Sequence, residues 1–197
     1  MDIEQELETL RARIAFLEGE VEFLRTHPTI AQGIKGETLI LDVTNGVLGA
    51  YADAHDITVG GKTKIEVKFS KLNTPVPGSL TRRWNWSKPL GWKDKGKDYD
   101  FLLLIGEKDQ RFEDQYYAGA PYVFFMVPHH RVPSISNVGN TIGANVQIVT
   151  NLARAKSPTS QELKKWLVPI EAINELLVGP KGPEYSICPQ IRTSCKP

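Results

Sequence analysis

From Asp56 to Lys71 the chain reads DITVGGKTKIEVKFSK. Two short apolar-rich runs meet at Gly60-Gly61, which predicts two strands joined by a tight hairpin. Successive strand side chains take opposite faces, so Ile65, Val67 and Phe69 point one way and Glu66 and Lys68 the other. The loop length decides where Asp56 falls. A two-residue loop pairs Val59 with Lys62 and sets Asp56 opposite Ile65, among the core residues. One more residue pairs Val59 with Thr63, Ile57 with Ile65 and Asp56 with Glu66, so both apolar residues share one face and both acids the other. The expectation is therefore a three-residue loop, or an equivalent bulge, around Gly60–Lys62, with the glycines supplying positive φ.

One acid followed by Glu-x-Lys on the next strand is the donor set that metal-dependent phosphodiester cleavage needs. Carboxylates hold a divalent cation through hard oxygens, and a lysine beside them offsets phosphate charge and orients a water. The plainer reading is a solvent-facing strand with a surface Glu/Lys pair. The pattern Asp56-x9-Glu66-Val67-Lys68 resembles the core of the PD-(D/E)xK nucleases, the group that includes most type II restriction endonucleases. His55 stands where that family usually carries Pro. The resemblance spans the chain from about residue 30 to residue 128. It implies a restriction-endonuclease-like α/β fold, a mixed sheet flanked by helices, and Mg²⁺-dependent cleavage of double-stranded DNA leaving 5′-phosphate ends. It also implies Mg²⁺ on Asp56, Glu66 and Val67, and catalysis by Asp56, Glu66 and Lys68.

Upstream, residues 29–51 predict a helix N-capped by Thr29 and running toward Tyr51. Ile34, Leu41, Leu48 and Tyr51 lie near one stripe, and Glu37 falls within it. A carboxylate on an apolar face is costly unless paired or metal-bound. Several families of the resemblance place a further acid on the helix before the catalytic sheet, which makes Glu37 a fourth candidate. A helix-edge Glu paired with a Lys is the alternative, and Asp42 and Asp53 are weaker candidates for the same role.

Residues 1–26 carry an uninterrupted 4-3-4-3 apolar seam: Ile3, Leu7, Leu10, Ile14, Leu17, Val21 and Leu24. Ile14 and Val21 at a, with Leu at most d positions, predict a parallel two-stranded coiled coil. In that register Glu6 faces Arg11, Arg13 faces Glu18 and Glu20 faces Arg25 across the partner. Each exposed pair contributes only about 0.2–1 kcal/mol, but together they set orientation and register. Phe16 and Phe23 lie off the seam and leave open a helix docked on its own domain. His27-Pro28 ends the segment. The domain expectation is a coiled-coil oligomerisation helix over 1–27 and a nuclease domain over 28–197.

A net charge of +1 excludes a general basic excess, so a DNA binder of this composition must segregate its charges. Residues 70–99 do so. Lys71, Arg82, Arg83, Lys88 and Lys93 form a basic run interleaved with Trp84, Trp86 and Trp92 and joined by Asn85, which can read base edges; these are the expected DNA-binding residues of the insert. A solvated loop is the alternative, with at least two of the tryptophans expected to be structural.

Further on, Asp100–Ile105 and Tyr122–Val127 are continuous apolar runs, as in internal strands. Ala144–Val149 suggests an edge strand. Ser160–Val178 suggests a helix broken at Pro169. His129-His130 reads as a surface pair, and Ser134–Asn145 as a polar recognition loop or a turn-rich connection. Cys188 and Cys195 make no disulfide framework, and no run is long enough for a membrane span. The expectation is an intracellular, cytoplasmic protein of prokaryotic or phage origin with no membrane partner. A type II restriction endonuclease, dimeric or tetrameric through residues 1–26, accounts for most of these features. A junction-resolving nuclease and a non-catalytic coiled-coil DNA-binding protein are the rivals.

Overall fold

The hairpin that sets the sheet has the three-residue loop. Ile57 pairs with Ile65, Thr58 with Lys64 and Val59 with Thr63. Gly60 and Gly61 take φ of 58° and 69°, a region that side-chain-bearing residues rarely adopt. The computed structural model describes residues 3–50, 53–74, 77–92 and 95–178. Tyr51, Lys93, the two cysteines and the C-terminal tail lie outside the described residues. In chain order the elements are α1 (Ile3–Thr26), α2 (Pro28–Thr44), β1 (Val47–Leu48), β2 (Ile57–Val59), β3 (Thr63–Ser70), β4 (Arg83–Ser87), β5 (Gly91–Trp92) and β6 (Lys95–Gly96). Then follow β7 (Phe101–Glu107), β8 (Tyr122–Pro128), α3 (Val132–Ile135), β9 (Asn145–Val149), α4 (Pro158–Lys164), β10 (Leu167–Val168) and α5 (Ile170–Val178).

The main sheet is mixed, with strand order β1-β2-β3-β7-β8-β10. Among the described strands only β3 and β7 run parallel. The described residues of their crossover include strand β4 and the paired strands β5 and β6, and none of them is helical. Both faces are covered, as the continuous apolar runs of β7 and β8 require. On one face Val67, Leu103, Ile105, Phe124 and Met126 pack with Ile40 of α2 and Ile173 and Leu177 of α5. On the other, Leu102, Leu104, Phe125 and Val127 pack with Trp84, Trp86, Val146 and Ile148 of a β4–β9 ribbon and with residues of α3 and α4.

Several expectations are corrected. The helix of residues 29–51 begins at Pro28, with His27 as N-cap, and stops at Thr44 because Asn45 turns left-handed. Its buried line is Gly36, Ile40 and Thr44; Ile34 and Leu48 are exposed. The solvated-loop alternative for the basic run fails, since β4 is a strand; as expected of at least two of the tryptophans, Trp84 and Trp86 are buried anchors whose indole N–H groups donate to Glu107 O and Ile105 O. Residues 145–149 pair with β4 in a separate ribbon, not at the edge of the main sheet. Inside the expected Ser160–Val178 helix, Leu167 and Val168 form a strand that closes the sheet against β8, and Pro169 then separates it from α5.

α1 has no buried residue. Its seam is exposed along its whole length, from Leu17 at 44% to Ile3 at 74%, so the helix does not bury that face on its own domain. Phe16 and Phe23 are exposed too. Among the described residues no helix is long and apolar enough to cross a membrane.

Candidate active site

β2 and β3 pair only as far as Ile57 and Ile65. Beyond that point the β2 side of β3 opens, and the gap is where the charged residues gather. Asp56 N still donates to Ile65 O at 2.9 Å. The next free β3 donor, Val67 N, is taken by a side chain instead: it donates to Asp56 Oδ2 at 2.8 Å. One carboxylate oxygen of Asp56 is thus fixed by backbone and the other is left facing the gap.

Glu66 and Lys68 pair with Leu102 and Leu104 of β7, which places them on the ribbon side of the sheet. Glu66 is wholly buried, so the reading of a surface Glu/Lys pair fails. Lys68 Nζ donates to Glu66 Oε1. The other oxygen, Oε2, is buried without a hydrogen-bond partner. Lys97 Nζ lies 3.1 Å from it but off hydrogen-bonding geometry, and 3.9 Å from Asp56 Oδ1. One ammonium therefore sits between the two acids. Burial raises the Glu66 carboxyl above the ordinary range, against the pull of Lys68.

Glu37 reaches the same edge from the opposite layer. A Cβ added at Gly36 would lie 3.2 Å from Phe69 Cβ and 3.3 Å from Val67 Cγ1, so the glycine lets α2 approach β3 closely. The following residue is then delivered to the gap. Burial and then the Asp56 charge raise the Glu37 carboxyl, while Lys68 opposes them. Glu37 forms no ion pair among the described residues, and a Lys-paired helix-edge Glu does not describe it. Asp53 instead accepts from Ala50 N at 2.7 Å, and Asp42 lies outside the gap.

Carboxylate oxygens are the ligand type that hard divalent cations prefer. Asp56 Oδ1 and the unbonded Glu66 Oε2 share one positive group, and Val67 offers a backbone carbonyl on the residue between Glu66 and Lys68. Among the described residues no three His, Cys, Asp or Glu side chains form a group that could hold a metal.

Sequence reasoning missed Lys97 as a member of this site. It also missed Tyr99, whose hydroxyl is raised by burial and by Glu66 and donates to Pro89 O at 2.6 Å. The expected DNA-contacting residues separate. Arg82 Nη1 lies 4.0 Å from buried Asp109, whereas Arg83 points outward from the ribbon. Asn85 Oδ1 is enclosed and without a partner. Lys88 Nζ lies over the Trp92 ring at 4.2 Å, and Lys71 is exposed just after β3. Lys93 is outside the described residues. His129 is half-buried against the Tyr99 ring, centroids 4.4 Å apart. No known family model and no curated protein matches the chain.

Proposed function

We propose that the chain is a Mg²⁺-dependent endonuclease of double-stranded DNA with a restriction-endonuclease-like catalytic core, acting at a specific sequence as type II restriction endonucleases do. The observation that supports this most is the convergence of Glu37, Asp56, Glu66 and Lys68, from α2, the β2 entry and β3, at the one open edge of β3. A divalent cation bound there supplies Lewis acidity and lowers the pKa of a water. Asp56, Glu66 and the Val67 carbonyl would hold it. Lys68, a quarter exposed beside Glu66, sets positive charge next to a phosphate and orients the attacking water. Glu37, brought to the same edge by the close approach of α2 to β3, would accept a proton from that water. Lys97 offsets the negative charge of the two acids. The water oxygen would bond phosphorus, the bond to the 3′ oxygen would break, and the leaving oxygen would take a proton from solvent water, so that a 5′-phosphate remains.

Plasmid DNA incubated with Mg²⁺ should give discrete fragments, and EDTA should abolish them. Lys68→Ala should lower the single-turnover rate at least about a hundredfold. Fragments that persist in EDTA, or a near-native Lys68→Ala rate, would sink the reading.

The exposed α1 seam supports the other half of the proposal, a homodimer through residues 1–26 that presents one site to each DNA strand. Deleting residues 1–26 should lower the mass measured by light scattering. An unchanged mass removes α1 from assembly.

A further inference from the structure

The β4–β9 ribbon has an outer face that catalysis does not use. Trp84, Trp86, Val146 and Ile148 turn inward to the sheet, and alternation turns Arg83 and Gln147 outward. Both line an open groove of about 330 Å³ that continues to the segment holding Arg154 and Lys156. Arg83, Arg154 and Lys156 are all exposed. No Asp or Glu lines the groove, which is otherwise walled by small apolar residues and by Asn, Ser and Thr. Among the described residues none of the three cations enters an ion pair, although Lys64, Lys68, Arg82, Lys97 and Arg111 all do. The Lys156 charge reaches the neighbouring helix: burial first, and then that charge, push Lys164 below its usual value. A concave, acid-free wall with unpaired guanidinium and ammonium groups is complementary to a polyanion, and Arg contacts oxyanions through a fixed fork.

The groove lies on the outer surface of the ribbon layer whose inner tryptophans, Trp84 and Trp86, pack on Leu102 and Leu104, the β7 partners of Glu66 and Lys68. We infer that this groove seats the phosphodiester backbone of the duplex DNA presented to the β3 edge, with Arg83, Arg154 and Lys156 as phosphate contacts. The inference rests on the nuclease reading but assigns a surface separate from its chemistry. The sequence places Arg83 in the insert; it gives no sign that Arg154 and Lys156, about seventy residues later, complete the same wall.

The test measures fluorescence anisotropy of a labelled duplex DNA with the full chain in a Lys68→Ala background and Mg²⁺, so that binding is read without cleavage. Neutralising Arg83, Arg154 and Lys156 together should weaken binding. The slope of log Kd against log salt should fall by about 0.9 for each phosphate that the protein no longer neutralises. Arg83→Lys with Arg154→Lys should keep the slope. Because all three side chains are exposed, unfolding is not expected. Gln replacements at the same positions provide a second set, and thermal midpoints verify the fold of each. Unchanged affinity and slope in a folded triple variant overturn the groove and leave the nuclease reading standing. A loss seen only with single-stranded RNA also overturns it. A parent chain that binds no duplex DNA overturns both.

Discussion

Two carboxylates, Glu66 and Asp109, are both wholly buried, and they differ in every other respect. Asp109, just past the end of β7, has its bonds filled. Arg111 donates to it from Nε at 2.9 Å and from Nη2 at 2.6 Å, and Thr150 Oγ1 donates at 2.8 Å. Arg111 also holds Leu80 O, and Arg82 lies nearby, so one carboxylate ties the insert, the end of β7 and the end of β9 together. The Arg111 hydrogen bond above all holds its pKa down at about 2. Glu66 has two lysines near it, yet one of its oxygens lacks a hydrogen bond and burial drives its carboxyl upward. A satisfied buried acid organises structure. One with an oxygen lacking a hydrogen bond, held beside Asp56 and two lysines at an open strand edge, is costly to bury and contributes little to organising the fold.

The largest effect that would break this contrast is on stability. Asp109→Asn should cost about 2 kcal/mol, because it removes a charged acceptor and turns an amide donor toward Arg111 or Thr150. Glu66→Gln should cost far less in metal-free protein, or stabilise it, since it relieves a desolvated charge. Urea unfolding in EDTA compares them. Cleavage should follow the opposite order, surviving in folded Asp109→Asn and failing in Glu66→Gln. Equal stability losses would make Glu66 a structural acid like Asp109.

Much of the β3 edge was legible because local rules agree there. Ile57 and Ile65 must share the apolar face, and only the longer loop allows it, so the register and the meeting of Asp56 with Glu66 follow from alternation. Lys97 was not legible. It reaches the acids because β7 lies parallel to β3 and carries the preceding segment alongside, with Asp98 N bonded to Ala54 O and Asp100 N to Lys64 O. That pairing is a tertiary choice without a local pattern. The face of α2 was misread for a related reason. Apolar side chains at Ile34 and Leu41 suggested the stripe, but the closest packing is at Gly36, where the missing side chain brings α2 onto β3. β10 was hidden because Leu167 and Val168 have helical neighbours on both sides; the open edge of β8 recruits them.

The smallest expected effect, and the finest discrimination between the two acids, is in the pH dependence of stability. Asp109 has a folded pKa below its ordinary value of 3.8, so its contribution is complete above that value and is lost as pH falls toward about 2. Glu66 and Glu37 shift the other way, above their ordinary value of 4.5. Their folded forms bind protons more readily than the unfolded chain, so both disfavour the fold at neutral pH. That penalty disappears as pH falls through their folded pKa values toward 4.5. Wild-type protein in EDTA should therefore gain stability relative to Glu37→Gln/Glu66→Gln on acidification from neutral pH, by less than the Asp109→Asn loss. The gain should level off before the Asp109 contribution begins to fall. Urea midpoints taken across this range verify the order. If wild type loses ground to the double variant over the same interval, Lys68 and Lys97 outweigh burial at the β3 edge, and the acids there are held ionised as firmly as Asp109.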